Sequence, residues 1–385
     1  MIKRSIFSPS DESWRLDVAN FLDSEIAPYY GIWEKDGRIP RDAWLKAGRA
    51  GLLCRTAPKN YGGQGAGFLE SVVIAEELGK RRFSGFLTFL QSDILAPYFL
   101  RLADDQQKEA YLPGLCSGSK IGALAVTEPQ SGSEVRRMRT TISRNDAGLV
   151  VNGHKMHISN GFSADVLLVA GRNGAGMKGA EAEISLLIVD TDTPGIVRTP
   201  IDKSGMRALD TCELTFENVC VPAQALLGGS GKGLLYFFTF IGLERLMLAI
   251  YAQASAVAIL QELLTFCAGR KTSAGSILDY QFVQCKLADL YGECTVNQAF
   301  IDACIIDQAR GRHDAHAASL AKLRTTETLK AVALLAVQFR GALGVSGASG
   351  ERATQDMIDS CVQSIWGGAS EVLRDAIGKG LINGI

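Results

Sequence analysis

GLVVNGHK, at residues 148–155, lies within a β-rich segment that runs from about Ile121 to Leu227. Its apolar residues lead into an Asn-Gly pair, which predicts a tight turn at residues 152–153. Other runs with strand character lie at residues 166–170, 184–189 and 214–217. In the last of these runs apolar and polar residues alternate, as in a strand with one buried face. We therefore predict a small antiparallel barrel or sandwich here.

Helical periodicity lies on both sides of this segment. From about Ser10 to Ser119 apolar positions recur every three to four residues, most clearly in FLESVVIAEELGK at residues 68–80. Gly79 is the predicted C-terminal cap of that helix. Near the other end, the alanine-rich stretch from Ala317 to Phe339 predicts a helix that stops at Gly341.

The order of these segments defines the fold class as α+β. It predicts an N-terminal helical domain at residues 1–120, a central antiparallel β domain at 121–230 and a C-terminal helical bundle at 231–385. The glycine-rich stretch GGSGKG, residues 228–233, marks the second boundary. A doubly wound α/β fold is excluded because its strands and helices must alternate. No G-x-G-x-x-G follows a strand and no P-loop motif occurs, which argues against Rossmann and P-loop chemistry.

Composition excludes several classes of protein. The 385 residues are 47% hydrophobic and 21% charged, which is typical of a globular protein and not of a disordered chain. The formal charge of −1 offers no broad positive surface for nucleic acid, so a small neutral or anionic ligand is expected. The nine cysteines form no C-x-x-C pair, which indicates reduced thiols and a cytoplasmic protein. The four histidines do not join them at zinc-site spacing, so we expect no metal.

Neither an export signal nor a membrane span is expected. The N-terminal stretch MIKRSIFSPSDESW lacks the continuous apolar region of a secretory signal. The most apolar region, residues 233–260, is interrupted midway by the adjacent pair Glu244 and Arg245. Two charges at the centre of a bilayer are costly, so we interpret this region as a buried helix of a soluble protein.

Several sequence motifs occur together and in order. ALAVTEPQSGSEVRRMRTTISR at residues 123–144 and LVVNGHKMHISNG at residues 149–161 resemble signatures of the acyl-CoA dehydrogenase flavoproteins. The stretches at residues 205–222, 336–344 and 366–381 are similar to further motifs of that family. The resemblance is collinear from the first helices to the C-terminus. It implies the three-domain fold of that family, FAD as cofactor and the α,β-dehydrogenation of an acyl thioester.

The resemblance also implies an FAD site assembled from these motifs. The residues that match the flavin side of the family's site are Val126, Thr127, His157, Ser159, Ala369 and Glu371. The residues that match the pyrophosphate and adenine side, partly across a subunit contact, are Arg270, Gln281, Gln338, Gly341 and Ala342. Arg270 suits its role because a guanidinium is permanently charged and binds phosphate with two hydrogen bonds. The implied assembly is a homotetramer or homodimer.

Some of these flavin-site residues have a simpler interpretation. Taken singly, Thr127 and Ser159 are ordinary turn or capping residues, and only the ordered set of motifs points to a flavin. His157 stands where relatives carry a Trp or Phe that covers the flavin. Its imidazole is flat enough to stack on the ring, or it is simply a half-exposed strand histidine, and both interpretations remain open.

The catalytic base is not at its usual place. Most relatives carry a glutamate near the C-terminus, in Y-E-G-T, where this chain has Gly367. Glu244, in FIGLERLMLAI, is the candidate instead, because the isovaleryl-CoA and long-chain branches of the family carry their glutamate at this position. A helix through Glu244 places apolar residues on its face, which raises the pKa of a carboxylate, and directs Arg245 away. The alternative is a structural glutamate, paired or solvated. The residues expected on its face are Phe240, Ile241, Met247 and Leu248.

The resemblance also indicates residues for the acyl thioester. These substrate-site residues are Ser133, Arg245, Trp366 and Gly367. The backbone N–H at position 367 and a ribityl hydroxyl of the flavin would bind the thioester carbonyl as it becomes enolate-like. Gly242 replaces an aspartate that often contacts the CoA portion, which leaves open a substrate carried on the phosphopantetheine of an acyl-carrier protein.

The sequence therefore predicts an acyl-CoA dehydrogenase of fatty acid metabolism that passes electrons to an electron-transfer flavoprotein. Two alternatives remain. One is an oxidase or dehydrogenase that acts on a carrier-protein-bound acyl group. The other is a noncatalytic flavoprotein of the same fold that has lost the usual glutamate.

Overall fold

The computed structural model describes residues 4–178, 183–273 and 275–383. Six helices come first in the chain. They are α1 (Pro9–Phe21), α2 (Ala27–Asp36), α3 (Arg41–Arg49), α4 (Phe68–Arg81), α5 (Ala96–Leu102) and α6 (Asp105–Ser117). Capping boxes begin two of them: Ser8 with Asp11 at α1, and Asp104 with Gln107 at α6. The central helix of this part is α4, whose residues 71–79 are all buried.

Gly79 does not cap α4, so that prediction was wrong. The helix continues to Arg81, and Arg82 takes the left-handed conformation at its end, with a φ of 56°. A Cβ atom at Gly79 would lie 2.6 Å from the carbonyl oxygen of Tyr251 and 2.8 Å from the Cβ of Ala254. The glycine therefore serves a close contact between two helices and not a helix stop.

Seven strands form the sheet of the central part. They are β1 (Gly122–Ala125), β2 (Thr141–Asn145), β3 (Gly148–Ser159), β4 (Val166–Asn173), β5 (Ile184–Asp190), β6 (Ile196–Pro200) and β7 (Thr211–Val221). Their order is β1-β4-β2-β3-β7-β6, with β5 also paired to β4. The strands predicted from apolar runs are confirmed. The sheet is mixed, however, because β4 pairs in parallel with both β1 and β2, so the expectation of an antiparallel unit needs this correction.

The predicted turn at Asn152–Gly153 is also wrong. Both residues lie within the long strand β3, where the register against β7 shifts between Val151 and Gly153. This shift is a β-bulge, and Asn152 uses its side-chain oxygen to accept the N–H of Asn218 at 2.7 Å. The β2–β3 hairpin turns earlier, where the Asn145 side chain accepts the N–H groups of residues 147 and 148, each at 3.0 Å.

The C-terminal part is helical again. Its elements are α7 (Gly233–Gly269), the short pair β8 (Lys271–Thr272) and β9 (Gly275–Ser276), α8 (Gln281–Ala309), α9 (Ala315–Arg340), α10 (Gly347–Gln363) and α11 (Ser370–Asn383). As predicted, α9 ends at Gly341, which takes a φ of 58°.

Helix α7 connects the N-terminal and C-terminal helical parts. It packs against α4 on one side and against α8 and α9 on the other. By length and composition alone it could cross a membrane, with a mean hydropathy of 1.6 over its most apolar window, but core helices of soluble proteins pass the same test. Residues 246–256 of this helix are all buried in the fold, and Glu244 and Arg245 directly precede them.

Candidate active site

Glu244 and Gly367 meet at one point. Glu244 lies on α7, and Gly367 lies in the turn between α10 and α11. A Cβ atom at Gly367 would lie 3.4 Å from Oε1 of Glu244 and would overlap with Cδ1 of Leu248. The two positions predicted as alternatives for one carboxylate therefore approach the same space. Leu248, predicted on the face of Glu244, is buried beside both residues.

The Glu244 carboxylate has no protein partner among the described residues, since it makes no hydrogen bond and no ion pair there. Burial raises the pKa of Glu244, and the positive charges of Arg245 and Lys322 oppose this effect only in part. Burial, and then the nearby Glu244 charge, also raise the pKa of Tyr98, whose ring packs at a tilt against Phe240 with centroids 4.4 Å apart. A carboxylate in this setting is a stronger base than one in water and is free to accept a proton.

The turn opposite Glu244 exposes its backbone. Gly367 and Gly368 take φ values of 61° and 104°, which side chains of L-residues rarely adopt. In the described part of the chain, the N–H groups of residues 367–369 donate to no protein acceptor. Three neighbouring donors are therefore available for a ligand. This arrangement is suited to an oxygen that gains negative charge during a reaction.

Arg245 holds this turn. Its Nε donates to the carbonyl oxygen of Gly367 at 3.1 Å, and its Nη1 donates to the hydroxyl oxygen of Ser319 at 2.9 Å. These donors are used on the turn that faces Glu244, so Arg245 lies next to the site although it was expected to point away from the helix face of Glu244. Trp366 is half-buried and donates its ring N–H to the Gln363 side chain at 3.1 Å.

The predicted flavin-side residues of the β part lie together at the edge of the sheet. Val126 and Thr127 follow the end of β1, and Ser159 ends β3. A second bulge in β3 lifts Met156 and His157 off β7, and the N–H of Met156 donates to the carbonyl oxygen of Thr127 at 2.9 Å.

This edge carries polar groups that can bind a ligand. His157 is exposed at the bulge, with a φ of 57°. The hydroxyls of Thr127 and Ser159 make no hydrogen bond with any described residue. The free hydroxyls fit the polar edge of a flavin ring, and the exposed flat imidazole fits its face. Ser133 is exposed in the loop after β1.

A buried ion pair that was not predicted supports this edge. Lys155 and Glu128 lie 2.9 Å apart with both side chains inaccessible to solvent, and Lys155 also donates to the carbonyl oxygen of Val126 at 2.9 Å. Glu128 accepts the N–H groups of Arg139 at 2.6 Å and Thr140 at 3.0 Å. Burial lowers the pKa of Lys155 to about 8, although the Glu128 charge opposes the shift. Both residues belong to the quoted motifs, but only the fold shows that they pair.

The other predicted cofactor residues lie at the far end of the C-terminal bundle. The members of this group, all exposed, are Arg270, Gln281, Gln338, Gly341 and Ala342. Ring contacts bring their helix ends together: Phe282 meets Phe339 at 6.3 Å between centroids, and Arg340 lies 5.3 Å over the Phe266 ring. Along the axis of α7, Arg270 lies 26 residues beyond Glu244, which corresponds to roughly 39 Å at 1.5 Å per residue.

Two further predicted residues lie near the turn. Ala369 is half-buried within it, and Glu371 is exposed in the first turn of α11, 3.7 Å from Arg374.

A cavity of about 360 Å³ lies beside α7 on the side of Gly242. Phe240 and Phe300 are among its apolar lining residues, and charged residues also line it. A Cβ atom at Gly242 would lie 3.2 Å from the Cα of Ala315 at the start of α9. A larger side chain at position 242 would therefore press on the backbone of α9, so the glycine belongs to the packing of the two helices.

Three families of domains match this chain in order. The acyl-CoA dehydrogenase N-terminal domain matches residues 8–119, the middle domain residues 123–219 and the C-terminal domain residues 231–382. The mitochondrial long-chain specific acyl-CoA dehydrogenase of Rattus norvegicus is 33% identical over 381 residues, which cover 99% of this chain and 88% of that protein. The mitochondrial isovaleryl-CoA dehydrogenase of Oryza sativa subsp. japonica is 34% identical over 383 residues, which cover 98% of this chain and 92% of that protein.

The fold agrees with that of solved structures. The crystal structure of an acyl-CoA dehydrogenase from Geobacillus kaustophilus superposes with a TM-score of 0.93 at 34% identity. The superposition covers 97% of this chain and 98% of that chain.

Proposed function

This chain belongs to the acyl-CoA dehydrogenase family, and from that premise we propose that it removes two hydrogens from an acyl thioester with Glu244 as the base. Membership makes the chain a flavin-dependent oxidoreductase with FAD as its cofactor. One observation carries the proposal for the base: the Glu244 carboxylate lies 3.4 Å from the point where a side chain at Gly367 would begin.

Glu244 would take the proton from the α-carbon. Its carboxylate has no protein partner in the described part of the chain and sits in an apolar setting, so it can accept a proton without first breaking an ion pair. When bound, FAD supplies the acceptor for the hydride that leaves the β-carbon. Gly367 places no side chain beside Glu244, so substrate can approach the backbone of the turn there.

The turn at Gly367–Gly368 would bind the thioester carbonyl. Negative charge grows on that oxygen as the α-proton leaves, and a preorganised N–H donor stabilises it at little reorganisation cost. The N–H groups of residues 367–369, which have no acceptor among the described residues, are suitable donors. A backbone donor does not depend on the side chain, so the glycine at position 367 keeps this N–H donor.

We propose that the cofactor site is completed by a second copy of the chain. Arg270 and its exposed neighbours lie roughly 39 Å along α7 from Glu244, farther than one FAD molecule reaches. The Arg270 guanidinium makes no hydrogen bond or ion pair with any described residue, so it is free to bind a pyrophosphate. This geometry supports a homodimer or homotetramer in which the Arg270 end serves the flavin edge of a neighbour.

The experiment is an anaerobic panel of acyl-CoA thioesters of different chain length and branching, scored by bleaching of the flavin absorbance. We expect at least one thioester to reduce the flavin within seconds. No reduction by any CoA or carrier-protein thioester would support the noncatalytic alternative. Reoxidation of the reduced enzyme by an electron-transfer flavoprotein, and not by oxygen, would support our proposal for the acceptor.

The second candidate is an enzyme for carrier-protein-bound acyl groups. The packing of Gly242 against Ala315 favours it, because a side chain that contacts CoA does not fit at that position without moving α9. Parallel assays with the same acyl group on CoA and on an acyl-carrier protein distinguish the two, and oxygen consumption without an added carrier would identify an oxidase.

We also propose a cytoplasmic location. All nine cysteines are free thiols in the structure, as expected of a protein in a reducing compartment.

A further inference from the structure

Lys322 is a buried cation with no part in the proton transfer itself. It lies on α9, and no part of the residue is exposed to solvent. Its Nζ donates to the carbonyl oxygen of Gly368 at 2.8 Å. A buried ammonium is costly to desolvate, and one hydrogen bond to a carbonyl offsets only part of that cost. The contact therefore needs a functional explanation.

Lys322 is the middle member of three polar side chains that α9 directs at the turn after α10. Before it, Ser319 accepts the hydrogen bond from Arg245, which in turn holds the carbonyl oxygen of Gly367. After it, Glu327 accepts the hydroxyl of Ser370 at 2.5 Å. The turn is thus fixed along its whole length, at residues 367, 368 and 370. The carbonyl oxygens of residues 367 and 368 accept from the two cations, while the N–H groups of residues 367–369 have no acceptor among the described residues.

We propose that Lys322 is a positioning residue for the reaction at Glu244. By holding the Gly368 carbonyl, it fixes the orientation of the peptide groups whose N–H donors face the thioester. By its charge, it keeps the Glu244 carboxylate ionised in an apolar setting. The proposal rests on the proposed function, in which Glu244 is the base.

The charges around both groups support this coupling. Burial raises the pKa of Glu244, and Arg245 and Lys322 act against burial. Burial and the Arg245 charge lower the pKa of Lys322 to about 8, while Glu244, Glu327 and Glu371 act in the opposite direction. Tyr98 also faces Glu244 and stays neutral, because burial raises its pKa. The base and the lysine therefore each stabilise the charged form of the other.

This coupling predicts a bell-shaped pH profile for the rate of flavin reduction by substrate. On the acid side the rate falls as Glu244 gains a proton and can no longer act as a base. On the alkaline side the rate falls near pH 8, as Lys322 loses the charge that holds the turn and supports the carboxylate. A purely structural lysine would give no alkaline limb of this kind.

Two variants separate charge from packing. Lys322→Met keeps a similar length but removes charge and donor. We expect flavin reduction roughly 10- to 100-fold slower, because a misplaced reacting group costs about that much. In the pH profile of this variant we also expect the acid limb to lie at higher pH than in the wild type and the alkaline limb to be absent. Lys322→Arg carries a permanent charge, so its acid limb should stay close to that of the wild type while the alkaline limb disappears.

Lys203→Met is the matched control. Lys203 also has its pKa lowered to about 8 by burial, and it donates to two backbone carbonyls, those of Met206 and Leu209, each at 2.6 Å. It lies in the loop between β6 and β7, and Glu244 is not among the groups that shift its pKa. Its replacement should lower thermal stability without changing either limb of the profile.

A readout besides activity is the infrared titration of the Glu244 carboxyl. Its signal is obtained by subtracting the spectrum of Glu244→Gln from that of the wild type. The Glu244 signal should titrate at higher pH in Lys322→Met than in wild type. If no thioester reduces the wild-type flavin, the proposed function fails, but this titration still decides the inference.

Three results would overturn the role of Lys322. The first is a Lys322→Met enzyme that reduces flavin within threefold of wild type with the same pH profile. The second is an unchanged Glu244 titration in that variant. The third is an alkaline limb near pH 8 that persists in Lys322→Arg. If Lys322→Met does not retain FAD, this third result decides alone.

Discussion

Replacing Gly367 with alanine tests the geometry of the turn that faces Glu244. At a φ of 61° a non-glycine residue costs about 1–2 kcal/mol. The new methyl group would also overlap with Cδ1 of Leu248, which is only 1% exposed, and such overpacking typically costs about 1–3 kcal/mol. We therefore expect Gly367→Ala to lower the free energy of unfolding by roughly 2–5 kcal/mol. The assay is chemical unfolding at a fixed excess of FAD.

A double-mutant cycle with Leu248→Ala identifies the cause. Leu248→Ala alone should cost about 2–5 kcal/mol as a cavity-forming change. Together the two changes should cost less than their sum by about 1–3 kcal/mol, because the shorter side chain makes room for the new methyl group. Flavin reduction should be slower than in the wild type in both Gly367→Ala and the double variant, since in both the new methyl group lies 3.4 Å from Oε1 of Glu244.

Gly292→Ala is the control for this cycle, because it adds a methyl group inside α8 where nothing lies within 4 Å. It should stabilise the protein by about 1 kcal/mol. Strict additivity in the cycle, or wild-type stability of Gly367→Ala, would refute the described contact with Leu248.

Two further predictions concern other parts of the chain. Burial raises the pKa of Asp93 to about 7. The unfolded chain loses this proton near about pH 4, so the buried carboxyl lowers stability progressively between about pH 4 and pH 7 and by a constant amount above that range. At ~1.4 kcal/mol per pH unit, Asp93→Asn should add roughly 2–3 kcal/mol more stability at pH 8 than at pH 5, as measured by urea unfolding at both pH values; an equal effect at both would contradict the shift. Arg270→Ala should weaken FAD binding about 10- to 100-fold with little change in the stability of the apoprotein, because the exposed guanidinium makes no hydrogen bond or ion pair with any described residue. Titration of apoprotein with FAD measures this, and Arg310→Ala, another exposed arginine, should bind FAD like the wild type.

The order of helices, strands and helices could be predicted because each segment carries its own periodicity. The alternation of Leu214 and Phe216 with polar neighbours, and the stop of α9 at Gly341, depend on neighbours in sequence. The turn predicted at the Asn-Gly pair, residues 152–153, was wrong because the structure there does not depend on neighbours in sequence. Its turn propensity is local, and long-range pairing with β7 overrides it. Gly79 likewise serves a contact with α7 that no pattern within α4 reveals.

At the candidate site, sequence reasoning found residues with a chemical role and missed those that position them. Glu244 was found because its usual counterpart is a glycine at position 367. Lys155 and Lys322 gave no signal, because a lysine in a strand or helix usually extends to solvent. Only the fold shows that both side chains are buried and donate to backbone carbonyl oxygens, those of Val126 and Gly368.

The most direct test of the central claim is single-turnover flavin reduction by the Glu244→Gln variant under anaerobic conditions, with a thioester that reduces the wild type. Glutamine keeps the size and helix propensity of glutamate and removes its basicity, so folding, FAD content and thioester binding should persist. Loss of a positioned general base typically slows a reaction by about 10²- to 10⁴-fold. We predict that flavin bleaching falls by at least this lower bound. Bleaching within about threefold of the wild-type rate, a difference under ~1 kcal/mol, would contradict the assignment of Glu244 as the base.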